Sequence, residues 1–280
     1  MRTGTRSGRM VLVSEPGSQL VAVDVETSSR GRFGSEPIDA LGRWAEFREW
    51  AEACQDQGEP ITPAELGPPV PQPRQVFAIG LNYRAHAAEA SLEAPEHPPT
   101  FTKFPSCLAG PAGELALPAG SVDWEVELVA VIGREARCVS PDTAWSHVAG
   151  VAVGQDYSER ELQTSGPAPQ FSLGKSHPGF GPFGPLLVTS DELPDPDDLA
   201  IECSINGEAV QKDRTSSMIF SVPELLARLS AVVTLWPGDL VFTGTPSGVG
   251  MVRTPPRFLQ PGDEVVSRIE GLGELRQVCV

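Results

Sequence analysis

Several signals that would assign this 280-residue chain to a common class of protein are missing. No apolar run approaches the roughly 18 residues that a membrane helix needs, and the run near the N-terminus, Met10 to Val13, is too short for a signal peptide. The five cysteines are scattered and include no Cys-x-x-Cys, which argues against a disulfide framework or a zinc site. A reducing compartment is therefore expected, with the cytoplasm as the default.

Positive charge is scarce. Lys and Arg total 21 against 37 Asp and Glu, which gives a formal net charge of −16. Because nucleic-acid binding needs a basic surface, neither nucleic acid nor an anionic membrane is expected as a partner. A small-molecule substrate is expected instead, and an anionic one would need a metal or a local Lys or Arg.

Two sequence motifs of common enzymes are also missing. No Gly-x-Ser-x-Gly occurs, so a serine hydrolase is not expected. Gly174-Lys175-Ser176 lacks the glycine five residues earlier that a phosphate loop requires, because Pro169 stands there.

Proline and glycine are abundant, at 28 residues each, and favour turns around β structure. Six prolines lie within residues 58–75. This stretch predicts a domain boundary, with a small N-terminal domain and Pro-rich linker at 1–72 and a large domain at 73–280. Strands dominate after residue 76, so the expected fold class is a β-rich α+β protein.

Three local elements can be predicted with definite bounds. Met10–Ser14 and Leu20–Val25 resemble two strands joined by a hairpin turn at residues 15–18. One helix is predicted from Asp39, as its cap, to Cys54, and a second from Val222 to Val233.

An acidic stretch at residues 123–128 leads into the apolar run Val129–Ile132. If it is one strand, Asp123, Glu125 and Glu127 share a face, where like charges repel unless a cation lies against them. Asp156 follows another predicted strand, and hard divalent cations take oxygen ligands. These acids therefore indicate a metal site, and the alternative is a solvent-exposed strand start with an acidic edge.

Three further residues are candidates for acid–base chemistry. His86 and Glu89 are three apart in a helix-prone stretch, so the carboxylate can orient the imidazole as a general base. Lys175 lies in a Gly/Pro-rich loop and is suited to an oxyanion or a carboxylate. The alternatives are a solvated polar pair on a surface helix and a surface cation.

Taken together, several ordered motifs resemble the fumarylacetoacetate hydrolase family, in particular its bacterial acylpyruvase-like, 2-oxo acid hydrolase members. They span roughly residues 74–250 in the family's order, namely Ile79-Gly80-Leu81-Asn82-Tyr83-Arg84-Ala85-His86, Phe101-Thr102-Lys103-Phe104-Pro105-Ser106, Asp123-Trp124-Glu125-Val126-Glu127-Leu128, Gly154-Gln155-Asp156-Tyr157-Ser158-Glu159-Arg160, Gly174-Lys175-Ser176 and Gly244-Thr245-Pro246-Ser247-Gly248-Val249-Gly250.

The resemblance implies a mixed β-sandwich roll, a small N-terminal α/β domain and a homodimer. It implies Mg²⁺ or Mn²⁺, with Ca²⁺ able to substitute in crystals, bound by Glu125, Glu127 and Asp156, with Asp123 as a structural acid beside them. It also implies a mobile lid that carries the His86–Glu89 dyad, and Lys175 as the catalytic lysine. The implied substrate contacts are Arg84, Tyr157, Arg160, Gln163 and Thr245, where Tyr157 departs from the smaller aliphatic residue expected.

The implied reaction is hydrolysis of a C–C bond in an acylpyruvate-like 2-oxo acid through a metal-bound enolate. Oxaloacetate-type decarboxylation, or hydratase or isomerase (tautomerase) chemistry on a 2-oxo or 2-hydroxy-dienoic acid, needs the same metal and stays open as the alternative. A β-rich binding protein without catalysis is the third interpretation.

Overall fold

A computed structural model describes residues 1–16 and 19–280. Within them the helices are α1 (Val25–Ser28), α2 (Pro37–Leu41), α3 (Trp44–Ala53), α4 (Arg84–Glu89), α5 (Pro141–Ala144), α6 (Arg160–Gln163) and α7 (Val222–Val232). The strands are β1 (Arg2–Arg6), β2 (Arg9–Ser14), β3 (Leu20–Asp24), β4 (Glu59–Ile61), β5 (Leu66–Gly67), β6 (Val76–Ile79), β7 (Thr100–Thr102), β8 (Leu108–Ala109), β9 (Ala112–Leu115), β10 (Val122–Asp123), β11 (Val126–Ile132), β12 (Val148–Gln155), β13 (Ser158–Glu159), β14 (Gly181–Val188), β15 (Ala200–Ile205), β16 (Glu208–Arg214), β17 (Leu240–Phe242), β18 (Glu264–Ile269) and β19 (Gly273–Cys279).

Most of these strands form two sheets. The larger sheet has the order β4-β3-β2-β1-β14-β12-β11-β17-β6-β7, with β5 beside β1 and β8 beside β14. The smaller sheet has the order β16-β15-β18-β19-β9, and β10 and β13 form a short separate ribbon. The β-rich α+β fold class expected from the sequence is confirmed. No helix in the described ranges has the length and hydropathy of a membrane span.

Strand β11 lies in the middle of the larger sheet and is buried along its whole length. Because strand side chains alternate between faces, Val126, Leu128 and Ala130 belong to the core shared with β15, β18 and β19 of the smaller sheet. Val129 and Val131 point the other way and pack with residues of β6, β14 and β17. Burial on both faces explains the continuous apolar run.

The single strand expected from Asp123 onward is interrupted at Trp124 and Glu125, so that prediction was wrong in detail. Side chains replace the missing ladder partners there. The N–H of Glu125 donates to Gln155 Oε1 at 2.8 Å, and the N–H of Val126 donates to Gln211 Oε1 at 3.0 Å. Trp124 stays fully buried in the core, as expected.

The helix predicted from Asp39 to Cys54 is two helices, α2 and α3, separated at Gly42-Arg43. Asp39 lies inside α2, which instead begins with Pro37. Leu41 packs under the larger sheet, whereas Phe47 packs in a separate aromatic cluster. Side chains six residues apart in one straight helix point about 120° apart, so the break lets the two side chains be buried in different clusters.

Helix α7 is confirmed with nearly the predicted bounds. Ser221 caps it and forms a reciprocal capping box with Glu224.

The N-terminal strands continue the larger sheet. The predicted hairpin pairs as expected, with Ser14 opposite Val21, while Gly17 and Ser18 of its turn lie outside the described residues. Strand β1 pairs with β14, so that Arg2 lies opposite Val188. The predicted boundary at 72/73 falls between β5 and β6, and the strands on both sides of it belong to the same sheet.

Candidate functional site

Pairing of β11 with β12 brings the three predicted metal-binding carboxylates together. Glu127 lies opposite Gly154, and the N–H of Asp156 continues the pairing by donating to the carbonyl of Glu125 at 2.9 Å. Oxygen atoms of Glu125, Glu127 and Asp156 lie within 4.8 Å of one another. All three side chains are buried, with residue exposures of 7%, 1% and 0%.

A glycine-rich turn after β17 closes one side of this cluster. The N–H of Gly244 donates to Glu127 Oε2 at 2.8 Å. Gly244 has a φ of +99°, and an added Cβ would lie only 2.6 Å from the Cβ of Asn82. A glycine is therefore required where the turn meets both Glu127 and the segment before α4.

Three cations neutralise part of the cluster. Lys175 Nζ donates to Glu125 Oε2 and Asp156 Oδ2, each at 2.7 Å. Lys103 Nζ donates to Asp156 Oδ1 at 2.6 Å and also to the carbonyl of Lys175. Arg160 Nη1 lies 2.8 Å from Glu125 Oε1. Glu125 and Asp156 are thus both held by cationic partners.

Glu127 is the exception. No ion pair joins it to a Lys, Arg or His in the described part of the chain. Burial and the charges of Asp156 and Glu125 raise its pKa well above the usual value. Burial opposes ionisation of Glu125 as well, but the charges of Lys175 and Arg160 lower the pKa of Glu125 to about 2.

This arrangement fits a divalent metal. Three clustered carboxylates are the oxygen donors that Mg²⁺ and Mn²⁺ prefer. A cation at the cluster would supply the positive charge that Glu127 lacks, which is the physical reason to expect one here.

The predicted dyad is formed and lies beside the cluster. His86 Nδ1 lies 2.7 Å from Glu89 Oε1 within α4. Both Glu89 oxygens accept from the N–H of Gly248, at 3.0 and 2.9 Å, which fastens α4 to the glycine-rich turn. Gly244 of the same turn donates to Glu127 at 2.8 Å, so one turn joins the dyad to the acid cluster.

The other predicted substrate contacts are mostly occupied by protein partners. Arg160 Nε donates to Asp123 Oδ2 and Arg160 Nη1 to Gln163 Oε1, both at 2.9 Å. The hydroxyl of Thr245 donates to the carbonyl of Val126 and accepts from Gln211 Nε2. Arg84, at the start of α4, is exposed.

Tyr157 does not line the site, contrary to expectation. It is fully buried in the core between the sheets, and its hydroxyl donates to Gln277 Oε1 in β19 at 3.3 Å. In the segment between β12 and β13 the two neighbouring side chains point to opposite sides, and Asp156 points toward the lysines.

Sequence reasoning gave no role to Lys103, Gln155 or Gln211. Lys103 lies in a motif used for the resemblance, yet only long-range packing brings its ammonium group to Asp156. The two glutamines hold the interrupted strand that carries Glu125. Asp123 was expected to be structural, and it accepts the N–H groups of Gly250 and Met251 in addition to Arg160.

Comparison with known proteins is consistent with this geometry. The family model for the C-terminal region of fumarylacetoacetate hydrolase matches residues 75–280. The chain is 45% identical over 207 residues to the mitochondrial oxaloacetate tautomerase FAHD2A of Homo sapiens, covering 73% of this chain and 66% of that protein. The chain thus spans about two thirds of the length of such curated relatives.

Solved structures extend the likeness to the whole chain. A Mycobacterium smegmatis protein provisionally called HpcE has 55% identity and a TM-score of 0.94, with 100% of this chain and 99% of that chain covered. Maleylpyruvate hydrolase from Sphingobium sp. SYK-6, solved with manganese(II) and pyruvate, has 28% identity and a TM-score of 0.81, with 100% and 99% covered. This chain belongs to the fumarylacetoacetate hydrolase family.

Proposed function

We propose that this chain is a metal-dependent hydrolase that cleaves a C–C bond in an acylpyruvate-like 2-oxo acid. The observation that carries the proposal is the His86–Glu89 pair, with 2.7 Å between Nδ1 and Oε1, fastened beside three buried carboxylates. A base next to a divalent-metal site is what hydrolysis of a chelating substrate requires. The manganese and pyruvate bound by a related hydrolase support the substrate class.

Glu125, Glu127 and Asp156 would hold Mg²⁺ or Mn²⁺. When bound, such a cation acts as a Lewis acid toward the keto and carboxylate oxygens of a 2-oxo acid. Burial of the carboxylates removes competing water and strengthens these electrostatic interactions.

The remaining steps belong to side chains of this chain. Glu89 orients the imidazole through Nδ1, so Nε2 of His86 is the atom that takes a proton from water. The water oxygen adds to the distal carbonyl, the bond between that carbon and the pyruvate methylene breaks, and its electron pair goes to the methylene. A proton from the Lys175 ammonium completes the methyl group, and the proton held by His86 restores the lysine through solvent.

A second candidate is keto–enol tautomerisation of oxaloacetate, or its decarboxylation. The 45% identity to oxaloacetate tautomerases favours it. That chemistry needs the same carboxylates and a proton carrier but no attacking water. Isomerase or hydratase chemistry on a dienoic acid uses the same groups.

Product analysis of acylpyruvates and oxaloacetate, with Mg²⁺ or Mn²⁺, tests the proposal. We expect metal-dependent pyruvate release and a loss of about 10²- to 10⁴-fold in His86→Asn, the usual contribution of a general base. His147→Asn is the matched control, because His147 contacts the carbonyl of Glu135 at the other end of β12 and should leave the rate unchanged.

Three outcomes would contradict this assignment. Activity that survives a chelator rules out the metal. If His86→Asn slows hydrolysis and oxaloacetate tautomerisation equally, the dyad is not specific for water activation. Metal-dependent tautomerisation with no pyruvate release from any acylpyruvate would favour the second candidate.

A further inference from the structure

The two tyrosines of this chain are both fully buried, but their hydroxyl groups differ in hydrogen bonding. The hydroxyl of Tyr157 donates to Gln277 Oε1, whereas the hydroxyl of Tyr83 has no hydrogen-bond partner among the described residues. A buried hydroxyl left without a partner is destabilising, and native proteins satisfy nearly all such groups. The Tyr83 hydroxyl therefore points to a partner that the protein acquires from outside.

The backbone around Tyr83 is firmly held. The amide of Asn82 donates to the carbonyls of Thr243 and Phe220, at 2.7 and 2.9 Å, and accepts from the N–H of Phe220 at 2.9 Å. Tyr83 itself forms an antiparallel bridge with Met218. Its ring is therefore fixed at the start of α4, the helix that carries the dyad.

Tyr83 lies near Glu127, the carboxylate of the site that has no ion pair with a Lys, Arg or His among the described residues. Thr243 precedes Gly244, which touches Asn82 on one side and donates to Glu127 on the other. Burial, and after it the charges of Glu127 and Asp213, raise the pKa of Tyr83, which agrees with a phenol close to Glu127. A phenol O–H is a hydrogen-bond donor suited to an oxygen atom at this place.

We propose that Tyr83 is a positioning residue of the metal centre, whose hydroxyl donates a hydrogen bond to an oxygen atom that arrives with the divalent cation. That oxygen belongs either to a water molecule of the cation or to the 2-oxo acid. The proposal rests on the metal site proposed above. It adds a hydrogen-bond donor on the Glu127 side of the site and links the start of α4 to binding of the cation.

Because the chain has only two tyrosines, NMR can observe Tyr83 by itself. In Tyr157→Phe, Tyr83 is the one remaining tyrosine, so ¹³C-tyrosine labelling gives a single ring signal. We expect the Cζ resonance to shift when Mg²⁺ is added, if the oxygen is water, or only with Mg²⁺ plus oxalate, if it is a ligand oxygen. A Cζ signal that moves under neither condition, while calorimetry records Mg²⁺ binding, overturns the role of Tyr83 and leaves the metal site intact.

Two further measurements test the proposal, namely the affinity for Mg²⁺ and the stability of the metal-free variants. Tyr83→Phe should weaken Mg²⁺, or Mg²⁺ with oxalate, by about 3- to 10-fold, as expected for one hydrogen bond. Tyr157→Phe, which loses a bond outside the site, should bind them normally. Without metal, Tyr83→Phe should unfold no more easily than the wild type, whereas Tyr157→Phe should unfold more easily.

These experiments distinguish failure of the Tyr83 proposal from failure of the proposed metal site. Equal affinity in Tyr83→Phe and the wild type contradicts the proposed hydrogen bond. Lower stability of metal-free Tyr83→Phe would mean that the hydroxyl already has a partner in the protein. If the wild type binds no Mg²⁺ or Mn²⁺ by calorimetry, the proposed metal site fails, and the Tyr83 proposal fails with it.

Discussion

Two ion pairs of this protein have similar lengths and very different surroundings. In the N-terminal region, Arg9 Nε lies 2.8 Å from Asp24 Oδ2, with side chains that are 43% and 30% exposed. At the site, Lys103 Nζ lies 2.6 Å from Asp156 Oδ1, with side chains that are 0% and 1% exposed. Water screens the first pair and is excluded from the second.

The two ion pairs therefore contribute differently to stability. An exposed pair contributes little, because solvent already satisfies both charges. A buried pair is costly to assemble, and removing one partner leaves a charge that nothing solvates. Among the described residues, four buried carboxylates lie at the site, namely Asp123, Glu125, Glu127 and Asp156, but the cations paired with them are three, namely Lys103, Arg160 and Lys175. Glu127 is the carboxylate without such a pair, and we propose that a metal ion supplies its positive charge.

Lys103→Met should have the largest effect on stability. It removes the cation at Asp156 Oδ1 and should lower the free energy of unfolding by about 3–5 kcal/mol, the range for breaking a buried pair. Denaturant unfolding without added metal measures this. Lys212→Met is the matched control, because Lys212 is 78% exposed and 3.8 Å from Glu202, and it should change little.

A double variant separates the loss of the ion pair from the loss of compensating charge at Asp156. In Lys103→Met, Asp156 keeps its pair with Lys175 but loses half of its compensating charge. Adding Asp156→Asn removes that under-compensated charge and should restore part of the lost stability. If Lys103→Met lowers the free energy of unfolding no more than Lys212→Met does, the buried pair contributes no more to stability than an exposed one.

Asp24→Asn should have the smallest effect. We expect the midpoint of thermal unfolding to fall by no more than about 2 °C at neutral pH, as for a surface pair. Hydrogen bonding to Arg9 lowers the pKa of Asp24, so its contribution is present above the unfolded-state pKa of about 3.9. The contribution is lost as the pH falls through the lower native value.

Thermal scans of the wild type and Asp24→Asn at several pH values measure this prediction. The two midpoints should converge in acid. A difference that grows as the pH falls would contradict the assigned direction, and a loss comparable to that of Lys103→Met would remove the distinction between the two regions.

The sequence was sufficient for features that depend on local pattern. The apolar run of β11, helix α7 and the carboxylates at strands or strand ends were all predicted, and the structure brings the three acids together. Ordered motifs were sufficient to recognise the family, as the match over residues 75–280 confirms.

Features that depend on long-range packing could not be predicted. The pairing of β1 with β14 joins segments more than 180 positions apart, and nothing in either segment specifies the partner. The role of Lys103 depends on the loop that carries Lys175, and the direction of Tyr157 depends on a core shared with β19. The strand break before Val126 depends on two distant glutamines.

We propose that the buried acids hold a divalent metal, since Glu127 has no cationic partner in the described part of the chain. Calorimetric titration of Mg²⁺ or Mn²⁺ into the wild type and Glu127→Gln tests it most directly, because glutamine keeps the shape and the Gly244 contact but removes the charge. We predict one ion bound per wild-type chain and binding weakened at least about 100-fold in a folded Glu127→Gln protein. No binding by the wild type, or equal binding by both proteins, would contradict the claim.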